Sequence, residues 1–270
     1  MRPRIYAAVG FLLLTWFSTG SVLRAQAPVQ EAAPDLDPYA LVEKALDLTR
    51  SRSSHSKMSM TISRPTWQRT SSLVAWTRGR EDSLIRFTAP AKDAGNALLK
   101  QGDRMWTYNP KLNRNIRLPS SMMSQSWAGS DFSYNDLSRS DKYLRHYELS
   151  LQEVTLSDGD ASGGQQRVFT IDAVPKEDAP VVWGKERMVI REDFVMLEVT
   201  YFDQSMVPVK RLVSLEIGEL GGRTMATAMR MDNLEEPDTF TEVRYQDIDF
   251  DLPLEDRLFT VFALQSGQTP

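Results

Sequence analysis

The 270-residue chain carries 32 basic and 36 acidic residues and no cysteine, which excludes disulfides, thiolate metal sites and a lipid-modified N-terminal cysteine. With 41% hydrophobic and 25% charged residues it has the composition of a globular protein whose core must stabilise it unaided. Its Lys and Arg are interleaved with acids throughout rather than gathered on a basic face, so nucleic acid is not expected as a partner.

At the N-terminus, Arg2 and Arg4 precede an apolar run from Ile5 to Phe17, shorter than the roughly 20 residues a bilayer span requires. Small residues at Ser18–Ser21 and the triplet Ala25-Gln26-Ala27 follow, so residues 1–27 read as a secretory signal peptide and the expected location is the periplasm. Removing Arg2, Arg4 and Arg24 from the 32 basic residues leaves 29 against 36 acids, a formal net of about −7. Residues 28–36, "PVQEAAPDL", read as a flexible lead-in, and 37–265 as a single domain.

Asp37 as N-cap, Pro38 in the first helical position and Leu41, Val42, Ala45, Leu46 and Leu48 at helical spacing predict a helix to about Arg50. The period then changes to two. "HSKMSMTIS" sets Met58, Met60 and Ile62 on one strand face, and further strands are predicted at about 66–78, 82–88, 96–101, 104–109 and 114–118. Residues 119–146 lose the alternation and read as an irregular or helical insertion. Strands return at about 147–156, 166–174, 182–191, 194–203, 207–218, 222–232 and 239–249. Leu254, Leu258, Phe259 and Phe262 then fall at helical spacing and predict a short terminal helix. About a dozen closely linked strands flanked by helices give an α+β class built on one large, curved antiparallel sheet.

Within the insertion, "WAGSDFSYNDL" at 127–137 packs carboxylates, hydroxyls and aromatics together. Ser133 followed by Asp136 has capping-box spacing, with Phe132 and Leu137 placed as a hydrophobic staple. A nucleophilic serine needs a positioned base, and the chain has only His55 and His146, neither in a triad motif. Asp131 and Asp136 have the residue types of a two-carboxylate glycosidase, yet acids five apart are common on solvated surfaces. The residues point to no enzyme, no metal-ligand spacing and no cofactor.

Trp67, Trp76, "SLIRFTAP" at 83–90, "MWTYNP" at 105–110, "WAGSDFSYNDL" and "LFT" at 258–260 resemble the LolA-like outer-membrane lipoprotein-sorting family, in order and spacing over about residues 40–265. The resemblance rests chiefly on "GSDFSYNDL", with Gly129, Ser130, Asp131 and Asp136. It implies a half-open β-barrel with helices over an apolar concave face. It further implies a periplasmic carrier of acylated lipoproteins or membrane lipids, loaded by an inner-membrane transporter and unloaded at an outer-membrane acceptor. Other readings consistent with the family are an accessory subunit of a resistance-nodulation-division type lipid exporter and a lipoprotein-sensing regulatory module.

For a carrier, the candidate cavity or lid residues are Met58, Met60, Ile62, Trp76, Phe87, Trp106, Tyr108, Met122, Met123, Trp127, Phe132 and Tyr134, each of which could equally serve in plain core packing. Segment 119–137 is the candidate lid. Arg69, Arg86, Arg104, Arg114 and Arg117 are candidates for a lipid headgroup, or surface ion-pair partners.

Overall fold

The computed structural model describes residues 37–138, 142–158 and 164–267; the signal peptide and lead-in expected over 1–36 lie outside the described residues. Helix α1 (Pro38–Leu48) begins where Asp37 accepts a hydrogen bond from the Tyr39 amide at 2.9 Å, and it buries Leu41, Val42 and Ala45. Six strands follow: β1 (Ser53–Arg64), β2 (Trp67–Arg78), β3 (Asp82–Ala89), β4 (Ala97–Gln101), β5 (Arg104–Asn109) and β6 (Arg114–Arg117). The insertion contains a 3-10 turn at Ser120–Met122 and the short helices α2 (Tyr134–Leu137) and α3 (Lys142–His146). Seven more strands complete the sheet: β7 (Tyr147–Asp158), β8 (Gln165–Pro175), β9 (Lys185–Arg191), β10 (Met196–Phe202), β11 (Pro208–Leu220), β12 (Arg223–Asn233) and β13 (Phe240–Phe250).

All thirteen strands join one antiparallel sheet in the order β6-β5-β4-β3-β2-β1-β13-β12-β11-β10-β9-β8-β7. Two meanders are therefore stitched together at a single non-sequential pair, β1 with β13, and the sheet does not close because β6 and β7 remain its edges. Strands β3 and β10 stand six steps apart, about 29 Å on a flat sheet at ~4.8 Å per strand. Both nevertheless line one hollow, so the sheet is strongly curved around it. The result is the α+β half-open barrel anticipated from the sequence, with α1 over its concave face.

The C-terminus departs from the continuous helix that its apolar spacing predicts. Asp256–Phe259 forms a 3-10 turn, Thr260 is extended (φ −118°, ψ 155°), and α4 (Val261–Ser266) starts afresh with Thr260 Oγ1 accepting from the Ala263 amide at 3.2 Å. The break shifts the helical phase. Leu258, Phe259, Ala263 and Leu264 are buried, and Phe262 is 71% exposed. Among the described residues no helix is long and apolar enough to cross a membrane.

Candidate lipid-binding cavity

The alternation of β1 turns Ser54, Ser56, Met58, Met60 and Ile62 to the inner face and His55, Lys57 and Ser59 to the outer. Around that stripe lies a cavity of about 370 Å³. Met58, Met60, Leu73, Ala75 and Ile85 form one wall; Val199, Tyr201, Leu212, Met229 and Val243 form the opposite one; Ala45, Leu46 and Leu48 of α1 are the roof. Trp127 and Phe132 of the insertion close one end, with Trp127 tilted against Phe87 at 5.4 Å between ring centroids. A volume of several hundred Å³ with mainly apolar walls and a few polar groups is the usual form of a small-molecule site.

The "WAGSDFSYNDL" segment is fastened to the rim of the sheet. The Ser133 amide donates to Asp136 Oδ2 at 2.7 Å and the Asp136 amide to Ser133 Oγ at 3.1 Å, which is the capping box at the start of α2. Positive φ at Gly129 (75°) lets the chain reverse there. Arg64 donates to the Gly129 carbonyl at 3.0 Å, Arg69 to that of Ala128 at 2.5 Å, and Lys210 to that of Asp131 at 2.8 Å. Ser130 Oγ donates to the Trp127 carbonyl at 2.7 Å. The Asp131 carboxylate accepts from Arg64 at 3.0 Å and Thr241 at 2.6 Å, and Asp136 also accepts from Trp183 Nε1 at 3.3 Å. These bonds engage both carboxylates in holding the segment, so the motif has a structural account without catalysis.

The structure divides the sequence candidates into three groups. Met58, Met60, Trp127, Phe132 and Asp136 line the cavity. Ile62 and Phe87 are buried in the adjoining core, with Met122, Met123 and Tyr134 packed against it. Trp76, Trp106 and Tyr108 face the other way and pack with Leu258, Phe259 and Leu264 beneath the C-terminal turn and α4. Strand alternation explains this, because Leu73, Ala75 and Met105 take the inner face and leave their even-numbered neighbours outside.

None of the five headgroup arginines lines the cavity. Arg86 is buried under α4 and donates to the carbonyls of Ala263 (3.0 Å) and Leu264 (3.3 Å); its burial draws the guanidinium pKa below the ordinary value. Arg69 holds the insertion, Arg104 stacks over Trp106 at 5.5 Å, and Arg114 and Arg117 sit on edge strand β6. Sequence reasoning missed instead Arg50, at the end of α1, and Tyr245 on β13, which both line the cavity. Burial pushes the Tyr245 phenol above its usual range, opposed by the nearby charge of Arg50. Alternation of Thr241, Val243 and Tyr245 was the available signal, but it does not say which face is inner. Among the described residues no group of three or more His, Asp or Glu is placed to hold a metal ion.

A family model described as "Uncharacterized protein" matches residues 79–266. No protein of curated function matches the sequence. Among solved structures, a DUF1329 family protein from Desulfovibrio piger superposes with TM-score 0.74 at 25% identity, covering 85% of this chain and 100% of its own. A putative outer membrane lipoprotein-sorting protein domain from Vibrio parahaemolyticus gives 0.73 at 21%, covering 84% and 98%. A LolA superfamily protein from Nitrosomonas europaea gives 0.69 at 18%, covering 84% and 99%. The fold is thus LolA-like over nearly the full length of each of these structures.

Proposed function

Since the chain belongs to the family whose model spans residues 79–266 and has a LolA-like fold, we propose that it is a periplasmic carrier, not an enzyme, that holds acyl chains of lipoproteins or lipids in the cavity. On this reading it receives them from an inner-membrane transporter and passes them to an outer-membrane acceptor. The observation that carries the reading is the apolar hollow under α1, closed at one end by Trp127 and Phe132. Each methylene withdrawn from water contributes about 0.8 kcal/mol, so a fatty chain of ordinary length gains roughly 10 kcal/mol from such a shelter. Met58, Met60, Met196 and Met229 suit it, because flexible thioethers repack around passengers of different shape. The polar latches of Arg64, Arg69 and Lys210 give the insertion the character of a lid, since hydrogen bonds to backbone carbonyls break and re-form at modest net cost and a passenger's acyl chain would replace the contacts that Trp127 and Phe132 give up.

Native mass spectrometry of protein exported by its own host, followed by organic extraction, tests this. Lipid adducts and a mass shift on adding phospholipid or triacylated lipopeptide are expected. A lipid-free mass that stays unshifted with both would overturn the carrier reading.

A further inference from the structure

The hollow has a direction that cavity volume alone does not express. Across the inner face, Ser54 stands opposite Thr77 and Thr77 opposite Ser83, so the rank nearest the end of α1 is made of three hydroxyl residues. The next rank is Ser56, Ala75 and Ile85; the third is Met58, Leu73 and Phe87, with Tyr245 of β13 beside Met58 and its phenol near enough to Arg50 to feel that charge. Beyond it lie Met60 and the closing Trp127, which packs on Phe87. From Ser54 to Met60 is about 20 Å at ~3.4 Å per residue, and over that length the wall changes from hydroxyl to hydrocarbon.

Charge follows the same axis. Arg50 reaches the hydroxyl end, its Nε held on the Gly79 carbonyl at 3.2 Å. Outside, a second recess of about 670 Å³ shares Leu48 with the first and is lined by Lys44, Arg52, Arg80 and Arg223. Arg80 bonds Asp47 and Glu43, while Arg52 and Arg223 share Asp251, so basic side chains gather at this end around the acids that hold them. The cavity's own carboxylates are engaged elsewhere, Asp136 in the capping box and Glu198 by Thr200 Oγ1 at 2.7 Å. Among the described residues no hydrogen bond occupies the hydroxyls of Ser56, Ser83 and Tyr245, which leaves donors facing the hollow beside a guanidinium. Guanidinium and hydroxyl donors together suit phosphate or carboxylate oxygens.

We propose that the passenger is an anionic amphiphile bound tail first, its acyl chain running along β1 toward Trp127 and its phosphate or carboxylate at Arg50 among the hydroxyls of Ser56, Ser83 and Tyr245. This rests on the carrier reading and narrows it to a substrate class and an orientation.

Binding of palmitate, 1-palmitoyl-lysophosphatidic acid and neutral 1-monopalmitoylglycerol to delipidated protein tests it, read by displacement of a fluorescent fatty acid. The two anions are expected to bind about 10- to 100-fold more tightly than the neutral lipid, the range that one hydrogen bond to a charged group supplies. Arg50→Gln should bring that ratio near one, Ser56→Ala/Ser83→Ala should reduce it, and Arg50→Lys should keep most of it. Retention of the ratio by Arg50→Gln, equal binding of all three lipids, or displacement by millimolar inorganic phosphate alone would overturn the proposal while leaving the carrier reading in place. Failure of all three lipids to bind would count against both.

Discussion

Arg64 and Asp131, 67 residues apart in the chain, meet at 3.0 Å where the insertion crosses the end of β1. The Asp131 side chain is 6% exposed, and it also accepts from Thr241 Oγ1 at 2.6 Å. Removing the guanidinium strands a buried carboxylate, which outweighs the loss of one ordinary contact. Arg64→Met should therefore cost about 2–3 kcal/mol, somewhat under the full value for a buried pair because Arg64 is partly solvated, and Thr241→Val about 1. Urea denaturation measures both; a cost below about 0.5 kcal/mol for Arg64→Met would mean that the latch contributes nothing.

Met58 offers a way to fill the hollow without touching the latches. It is half-buried on the third rank, facing empty space, so a larger ring there meets little of the overpacking that a filled core imposes. Met58→Trp should lower co-purifying lipid at least fivefold with a thermal midpoint within a few degrees of the parent. Undiminished lipid in a folded Met58→Trp protein would place the passenger elsewhere.

The pair Asp172 and Arg187 gives the pH dependence its sign. Arg187 donates to both carboxylate oxygens at 2.7 and 2.9 Å, and Lys185 lies at 3.6 Å, so the Asp172 pKa is held below its ordinary value, chiefly by the Arg187 bonds. A carboxyl depressed by folding stabilises above its unfolded pKa of about 3.9, and that contribution is lost as pH falls through the lower folded value. Asp172→Asn should thus be less stable than the parent by about 1 kcal/mol at pH 6, a figure reduced for the partial exposure of Arg187. The gap should close below about pH 4. A gap that stayed constant from pH 6 to pH 3 would contradict this.

Three amides report on the insertion. Trp127 N donates to the Phe132 carbonyl at 2.8 Å, Tyr134 N to that of Gln125 at 3.1 Å, and Asn135 N to that of Met123 at 2.7 Å. If the segment moves aside for a passenger, hydrogen exchange at these positions should be faster than in β1 and β2 and should change on loading with lipid. Identical protection in empty and loaded protein would show that the segment does not gate the cavity.

Strands were legible in the sequence because side-chain period two is dictated locally, and for that reason elements such as Arg104–Asn109 fall where the pattern sets them. Which face would be hollow was not. Trp76 and Ala75 are adjacent on β2, and only the far-off arrival of Phe259 and Leu264 on one side and α1 on the other assigns them to packing and cavity. The terminal helix misled for a related reason: apolar spacing cannot show that Thr260 adopts an extended backbone and resets the phase. The capping box of Ser133 and Asp136 was readable because both partners lie within one helical turn. Arg50 escaped notice as one of many arginines, its role set by the ranks of Ser54 and Ser56 beyond it.

The pairing of β1 with β13 has a consequence for how the molecule comes into being. Lys57 and Asp247, partners across that seam, are separated by 190 residues. Until the last strand has been synthesised the two meanders have nothing to join them, and each would present a raw strand border able to recruit another chain. A polypeptide truncated before Phe240 should consequently aggregate rather than persist as a smaller soluble fold, and a holding chaperone would find its footing on Met58 and Met60 while they wait.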